Sequence, residues 1–233
     1  CGAWSLMKLL DNVGANRLGD ALASSIDDGA KLSIISAYFT VFAFNELKDE
    51  LSKIDSVRFL FSEPTFIKTM ESAKDPRQFE LERRARERGV GGLGLELTLS
   101  NNLDQRAIAR ECAEWVRSRG SFRSARVRGA IQPGGTYVVE NPDGDAHGFM
   151  GASAAFTQEG LGYEHRPGTV TGVSHFEGAA ETAGLKAMFE SVWGNPAMVE
   201  DVTERVAEQV ETLYRENPPE FIYFLTLYHL FRD

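Results

Sequence analysis

The chain has 233 residues, 42% hydrophobic and 25% charged, a globular composition that excludes a disordered chain, a collagen-like fibre and a disulfide-stapled miniprotein and allows a substantial core. Its formal charge of −9 argues against a protein held to nucleic acid by general attraction to phosphate. That total is uneven: between Lys74 and Arg128 there are 13 basic residues, 12 of them Arg, against 8 acidic ones, a local +5, and the remainder carries 12 against 26, or −14.

Lys31 to Thr40 is a β-branched and aromatic run that predicts a buried strand, and Phe44, Leu47, Leu51 and Ile54 follow at helical spacing. Val57 to Ser62 predicts a second strand, so the unit reads as a parallel pair with a covering helix. Asp75-Pro76-Arg77-Gln78 opens a helix with an acidic cap, Pro at the first helical position and Gln where a capping box places it, and Gly89 ends that helix. Leu95 to Leu99 is strand-like, and Leu103 to Arg119 reads as an amphipathic helix whose apolar stripe contains Cys112, a buried and inert thiol. Ala125 to Ile131 and Thr136 to Glu140 predict strands, Asn141-Pro142-Asp143-Gly144 a turn, and Gly148 to Ala152 the returning strand. From Ala179 onward the pattern is helical, with caps at Asn195-Pro196 and at Asn217-Pro218-Pro219-Glu220.

The last predicted helix, with Phe221, Ile222, Phe224, Leu225, Leu227, Leu230 and Phe231, is apolar on almost every face and requires a cover such as a following domain. The sequence also begins at Cys1, so a piece of a longer polypeptide is expected. Two cysteines are too few for a disulfide framework or a Cys-based zinc site, no apolar run reaches the ~18 residues of a membrane span, and no signal-peptide pattern is present. A cytoplasmic α/β domain over residues 1–178, followed by a helical extension over 179–233, is the simplest architecture, without metal or cofactor.

Gly89-Val90-Gly91-Gly92-Leu93-Gly94 matches the dinucleotide-binding string G-x-G-x-x-G, but that fingerprint must follow a strand and open a helix, and here a helix precedes it and a strand-like run follows. A flexible connection is the simpler reading. No G-x-x-x-x-G-K-[ST] string is present, so this chain offers ATP no P-loop. His147, His165, His175 and His229 show no metal-ligand spacing; His165 and His175 lie in a Gly-rich polar stretch expected at the surface, and His229 lies in an apolar helix. Arg77, Arg84 and Arg88 fall within about 40° on an ideal helix, and Arg123, Arg126 and Arg128 add a second basic group. Either they form a solvated face, where Glu80 with Arg84 and Glu82 with Arg86 pair four apart, or they fork onto nucleic-acid phosphates.

Ala152-Ser153-Ala154-Ala155-Phe156-Thr157, followed by Gly160-Leu161, resembles the G-S-x-N-F-T…G-L string that closes the catalytic motif of the phospholipase D superfamily, which includes nucleases. That family places His-x-Lys-x4-Asp upstream, the His as nucleophile forming a phospho-enzyme and the Lys stabilising phosphate charge. Alignment on the aromatic residue two after the Lys, here Tyr137, puts Pro133 at the His position, Gly135 at the Lys position and Glu140 at the Asp position. Ser153 stands at the family's Ser and Ala155 at its Asn. The resemblance implies a phospholipase D-like α/β/α sandwich with an erased active site.

Ser36-Ala37-Tyr38-Phe39 with Ala43-Phe44 and Leu47, Ala187 to Trp193, and Asn217 to Tyr228 resemble the phospholipase D-like module at the N-terminus of certain bacterial Swi/Snf-type DNA helicases of superfamily 2. What this implies is a non-catalytic accessory module that helps an ATP-dependent motor engage DNA, its partners being DNA and the helicase domains of the same polypeptide. A protein-interaction or homodimerisation module is the alternative, and a residual phosphodiesterase using His147 or His165 beside Arg166 is the third reading.

Overall fold

Eight strands join in one sheet in the computed structural model, which describes residues 7–63, 94–131, 134–164 and 171–213. The strands are β1 (Met7–Leu10), β2 (Lys31–Ser36), β3 (Ser56–Phe61), β4 (Gly120–Ala125), β5 (Gly135–Glu140), β6 (Ala146–Gly151), β7 (Val173–Glu177) and β8 (Val199–Asp201). Their order across the sheet is β1-β7-β6-β5-β2-β3-β4-β8. The central three, β2, β3 and β4, run parallel, and every other pairing is antiparallel. The described helices are α1 (Leu18–Ser24), α2 (Val41–Glu46), α3 (Lys48–Leu51), α4 (Gly94–Arg119), α5 (Ala179–Trp193) and α6 (Thr203–Leu213).

Alternation along the strands divides the core between two faces. Leu32 and Ile34 of β2, Val57, Phe59 and Phe61 of β3, Phe122 of β4, and Tyr137 and Val139 of β5 point to one face. There they meet Leu18 and Leu22 of α1, Phe44 of α2, Leu51 of α3, Cys112 and Val116 of α4, and Val206 and Val210 of α6. Ile35, Leu60 and Ala125 point to the other face, under Phe189 and Trp193 of α5. Helices therefore cover both faces of a mixed α/β sheet. Residues 179–213 supply α5 to one face, α6 to the other and β8 as the edge strand beside β4.

The parallel β2–β3 pair joined through α2 and α3 is as the spacing predicts, as is the β5–β6 hairpin around the Asn141–Gly144 turn. Cys112 is fully buried, and burial pushes its thiol pKa far up, which makes it inert. Several expectations are overturned. Leu95 to Leu99 lies inside α4: the alternating leucines mimic a strand, but Leu and Glu are strong helix formers and continue the periodicity of the following residues. The strand expected at Ala125 to Ile131 ends at Ala125, having begun at Gly120, because only that stretch lies in register with β3; Val127 beyond it is exposed. Asn195-Pro196 starts no helix. Its Asn195 Oδ1 accepts from the Ala197 N–H at 3.0 Å, and the turn so formed leads into β8. Among the described residues no helix is long and apolar enough to cross a membrane.

Candidate functional site

The carboxyl ends of β2, β3 and β4 form one rim of the sheet, joined there by the start of β5 and the end of β6, since Gly135 pairs with Gly151. The segment resembling the phospholipase D string leaves β6 at this rim. Its Phe156 forms a parallel bridge with Phe39 and stacks on that ring at 5.3 Å, which ties it to Phe59 and Phe122 in the core. Ser36, fully buried at the end of β2, accepts from the Phe156 N–H at 3.0 Å and from the Tyr38 N–H at 3.2 Å, and donates to the Tyr38 carbonyl at 2.8 Å. One hydroxyl thus pins both loops with its full hydrogen-bonding capacity.

The positions aligned with the catalytic motif are not assembled into a site. Pro133 lies outside the described residues. Gly135 begins β5 directly beneath the loop: a Cβ there would stand 1.5 Å from the Ala154 carbonyl oxygen, so any side chain, the family's lysine included, is barred. The same oxygen accepts from the Tyr137 hydroxyl at 2.7 Å. Glu140 ends β5 at the opposite rim and pairs with Lys186 of α5. Ser153 is exposed and Ala155 half-buried in the loop. Among the described residues, the positions aligned with the motif bring neither the family's nucleophile nor its cation to this rim.

Of the predicted basic residues, Arg77, Arg84 and Arg88 lie outside the described residues, as do His165, Arg166 and His229, and all of Gly89–Gly94 but its last glycine. That glycine opens α4, yet β3 ends at Phe61, so no described strand leads directly into the string. Arg123 and Arg126 serve the fold. The Arg123 guanidinium lies 4.5 Å from the Trp193 ring centroid and donates to the Trp193 carbonyl. Arg126 Nε donates to the carbonyls of Pro196 at 3.0 Å and Val199 at 3.1 Å, and the guanidinium faces Glu200. Arg128 differs, with a side chain 72% exposed that among the described residues is engaged through its Nε, by Glu63 at 3.1 Å.

A second constellation lies toward the opposite rim. His147 of β6 and His175 of β7 approach to 3.3 Å between Nδ1 and Nε2, with Asp145 on His147 Nε2 at 3.1 Å and Glu177 near His175 at 3.7 Å. His175 is buried and stacks on Phe149 at 4.2 Å, which overturns its expected place at the surface: it belongs to β7, whose alternation turns it inward beside Val173. Burial lowers its pKa from the ordinary value, more than Glu177 raises it; His147 and Lys8 lower it further. Among the described residues no group of three or more ligating side chains could hold a metal ion. The pair is packed and partnered from both sides.

Compared with protein-family models and with curated protein sequences, the chain matches none. Sequence reasoning missed the role of Ser36: the predicted strand ran on to Thr40, whereas β2 ends at Ser36, where main-chain groups leaving the ladder need new partners.

Proposed function

We propose that the chain is a phospholipase D-like α/β/α module that has lost its chemistry and serves as a non-catalytic DNA-engaging accessory to a helicase or translocase motor. The observation that carries the reading is the pairing of a retained loop with a closed position. Phe156 and Ser36 keep the motif-like segment on the carboxyl rim, and the Ala154 carbonyl occupies the space that a lysine at Gly135 would need. Phosphoryl transfer needs a nucleophile and a cationic clamp together, and this arrangement supports a scaffold role instead. With Arg123 and Arg126 engaged in the fold, phosphate contact falls to Arg128 and to the basic segment that joins Glu63 to Gly94 and carries Arg77, Arg84 and Arg88.

The test is fluorescence anisotropy of the whole chain with a labelled duplex over a salt series. Binding is expected to weaken with salt, and the combined Arg77→Ala, Arg84→Ala and Arg88→Ala variant is expected to flatten the log–log slope by roughly 2 to 3, about 0.9 per lost phosphate contact. Absent or salt-independent binding refutes DNA engagement. A stable dimer indifferent to DNA in sedimentation replaces it with an interaction module. Hydrolysis of a nitrophenyl phosphodiester, lost on His147→Gln, refutes the non-catalytic half.

A further inference from the structure

The protons of the His147–His175 pair are placed by its neighbours. Asp145 Oδ2 accepts from His147 Nε2–H at 3.1 Å. A neutral imidazole carries one N–H, so His147 Nδ1 is an acceptor, and His175 Nε2–H donates to it at 3.3 Å. His175 Nδ1 is then the nitrogen without a proton, and it faces Glu177 Oε1 at 3.7 Å. The same Oε1 holds Lys8 Nζ at 2.5 Å. One carboxylate oxygen thus stands between the basic nitrogen of the pair and the ammonium group of β1.

β1 is an end strand, paired among the described strands with β7, and Lys8 lies directly opposite His175. Met7 and Leu9 are 58% and 70% exposed, whereas Leu10 is buried. Just beyond it, Asn12 donates to the Gly160 carbonyl at 2.9 Å and accepts from the Leu18 N–H at 2.8 Å. β1 is therefore anchored at its Leu10 end, and toward Met7 the Lys8–Glu177 bridge is its side-chain clamp. A strand with so few buried contacts can open while the rest of the sheet stays closed. The charged and titratable groups facing His175 are Glu177 on its own strand, His147 of β6 and Lys8 of β1, with Asp145 of the β5–β6 turn behind His147. β5 places Val139 opposite His147, and α5 lies on the other face of the sheet, where Lys186 pairs with Glu140 and Glu190 with Arg58.

We infer that the His147–His175 pair is a proton-operated latch on the edge strand: a proton taken up at His175 Nδ1 draws Glu177 from Lys8 and releases β1 from β7. While β1 is closed, burial and the nearby Lys8 disfavour the charged His175 ring. Once β1 opens, the ring meets water and Lys8 has left it. The open form binds the proton more readily, so acid favours opening. Above about pH 6.5 the latch is closed; below it each opening takes up one proton, and the opening equilibrium rises by up to about 10-fold per pH unit. Release leaves β7 as the edge of the sheet, its main-chain groups free to pair with another strand. The latch stands apart from the DNA-engaging reading.

The experiment is native-state amide hydrogen exchange of the whole chain between about pH 7.5 and pH 5, with each rate divided by the intrinsic rate at that pH, in the absence and presence of about 1 M urea. Protection of the β1–β7 ladder is expected to fall below about pH 6.5 by up to about 10-fold per pH unit. Urea should leave that protection unchanged, because a local opening exposes little surface, whereas the protection of β2 and β3 should respond to it. His175→Gln is expected to abolish the acid slope of the ladder. Lys8→Gln, at an exposed position, is expected to lower ladder protection at pH 7.5 by removing the clamp and to make the acid slope shallower, because Lys8 no longer opposes the charged ring; it tests the latch even if His175→Gln does not fold. Ladder protection that is flat from pH 7.5 to 5, that keeps its slope in His175→Gln, that is unmoved by Lys8→Gln, or that falls only together with the urea-sensitive core overturns the inference.

Discussion

Gly135→Ala adds one methyl group at the most crowded point of the carboxyl rim. The new Cβ would stand 1.5 Å from the Ala154 carbonyl oxygen and 2.3 Å from its carbon. Both are backbone atoms, so no side-chain rotation relieves the overlap and the loop itself must lift. Overpacking of this kind costs about 1–3 kcal/mol. Lifting the loop also separates Ala154 from the Tyr137 hydroxyl, both buried, and leaves two polar groups unpaired for roughly a further 1–3 kcal/mol. The expected loss is about 2–6 kcal/mol, a fall in Tm of roughly 4–24 °C at about 2–4 °C per kcal/mol for a chain of this size. Gly184→Ala is the control: this glycine lies within α5, and its added Cβ would meet nothing within 4 Å. It should gain about 0.8–1.0 kcal/mol from helix propensity alone. Urea titration of the two variants beside the wild type reads both effects through the midpoint. Equal stability of Gly135→Ala and wild type, within about 0.5 kcal/mol, would refute the crossing of the loop over β5 and reopen the position to a catalytic lysine.

Tyr137→Phe is expected to cost about 1–3 kcal/mol in the same titration, because it leaves the Ala154 carbonyl buried without its donor. Burial of His175 favours its neutral form, so the unfolded chain takes up the proton first as pH falls; the contribution is fully present above about pH 6.5 and declines below it. Urea midpoints between pH 8 and 5 should show that decline, and His175→Gln should flatten it. Arg123→Ala should lower stability by about 1–3 kcal/mol and alter Trp193 fluorescence, without changing the salt slope of DNA binding. Cys112 should stay unlabelled by a thiol reagent in the native chain and react in denaturant, as peptide mapping can read.

The parallel β2–β3 unit was legible because both strands are buried on two faces and read as continuous apolar runs, with a turn of helix between them. β1, β7 and β8 were not legible. β1 exposes Met7 and Leu9, so its pattern carries no buried stripe. β7 mixes His175 and Glu177 with Val173 and Phe176, and β8 has three residues, too few to establish a period. At the site, the departures at Gly135 and Ala155 were readable from the string, but the closure was not. Whether a glycine marks a missing side chain or a crossing backbone depends on a contact 19 residues away, between positions 135 and 154. The serine brace of Tyr38 was hidden for a similar reason: Ser36 is two residues from Tyr38 but 120 from Phe156, and that second partner defines its role.

Net charge in the basic stretch overstates what it offers to nucleic acid, and the fold explains the excess. Arg117 is shared between Glu204 and Glu211 of α6, which clamps α4 to that helix. Arg119 donates to the Ile54 carbonyl, Arg123 to the Trp193 carbonyl, and Arg126 to the carbonyls of Pro196, before β8, and Val199, its first residue. These four arginines close the connections around β4, where α4, α5 and α6 all converge, and guanidinium forks suit carbonyl-rich junctions because they satisfy several acceptors at once. Counting them as phosphate ligands would place DNA across a junction whose donors are already engaged. Arg128 lies just beyond that junction, with most of its side chain in solvent. If DNA is held through charge alone, Arg128→Ala and the Arg77, Arg84 and Arg88 variants should reduce single-strand and duplex affinity in equal proportion. Arg128→Ala should therefore weaken duplex binding and lower its salt slope by about 0.9, whereas Arg123→Ala should leave that slope unchanged.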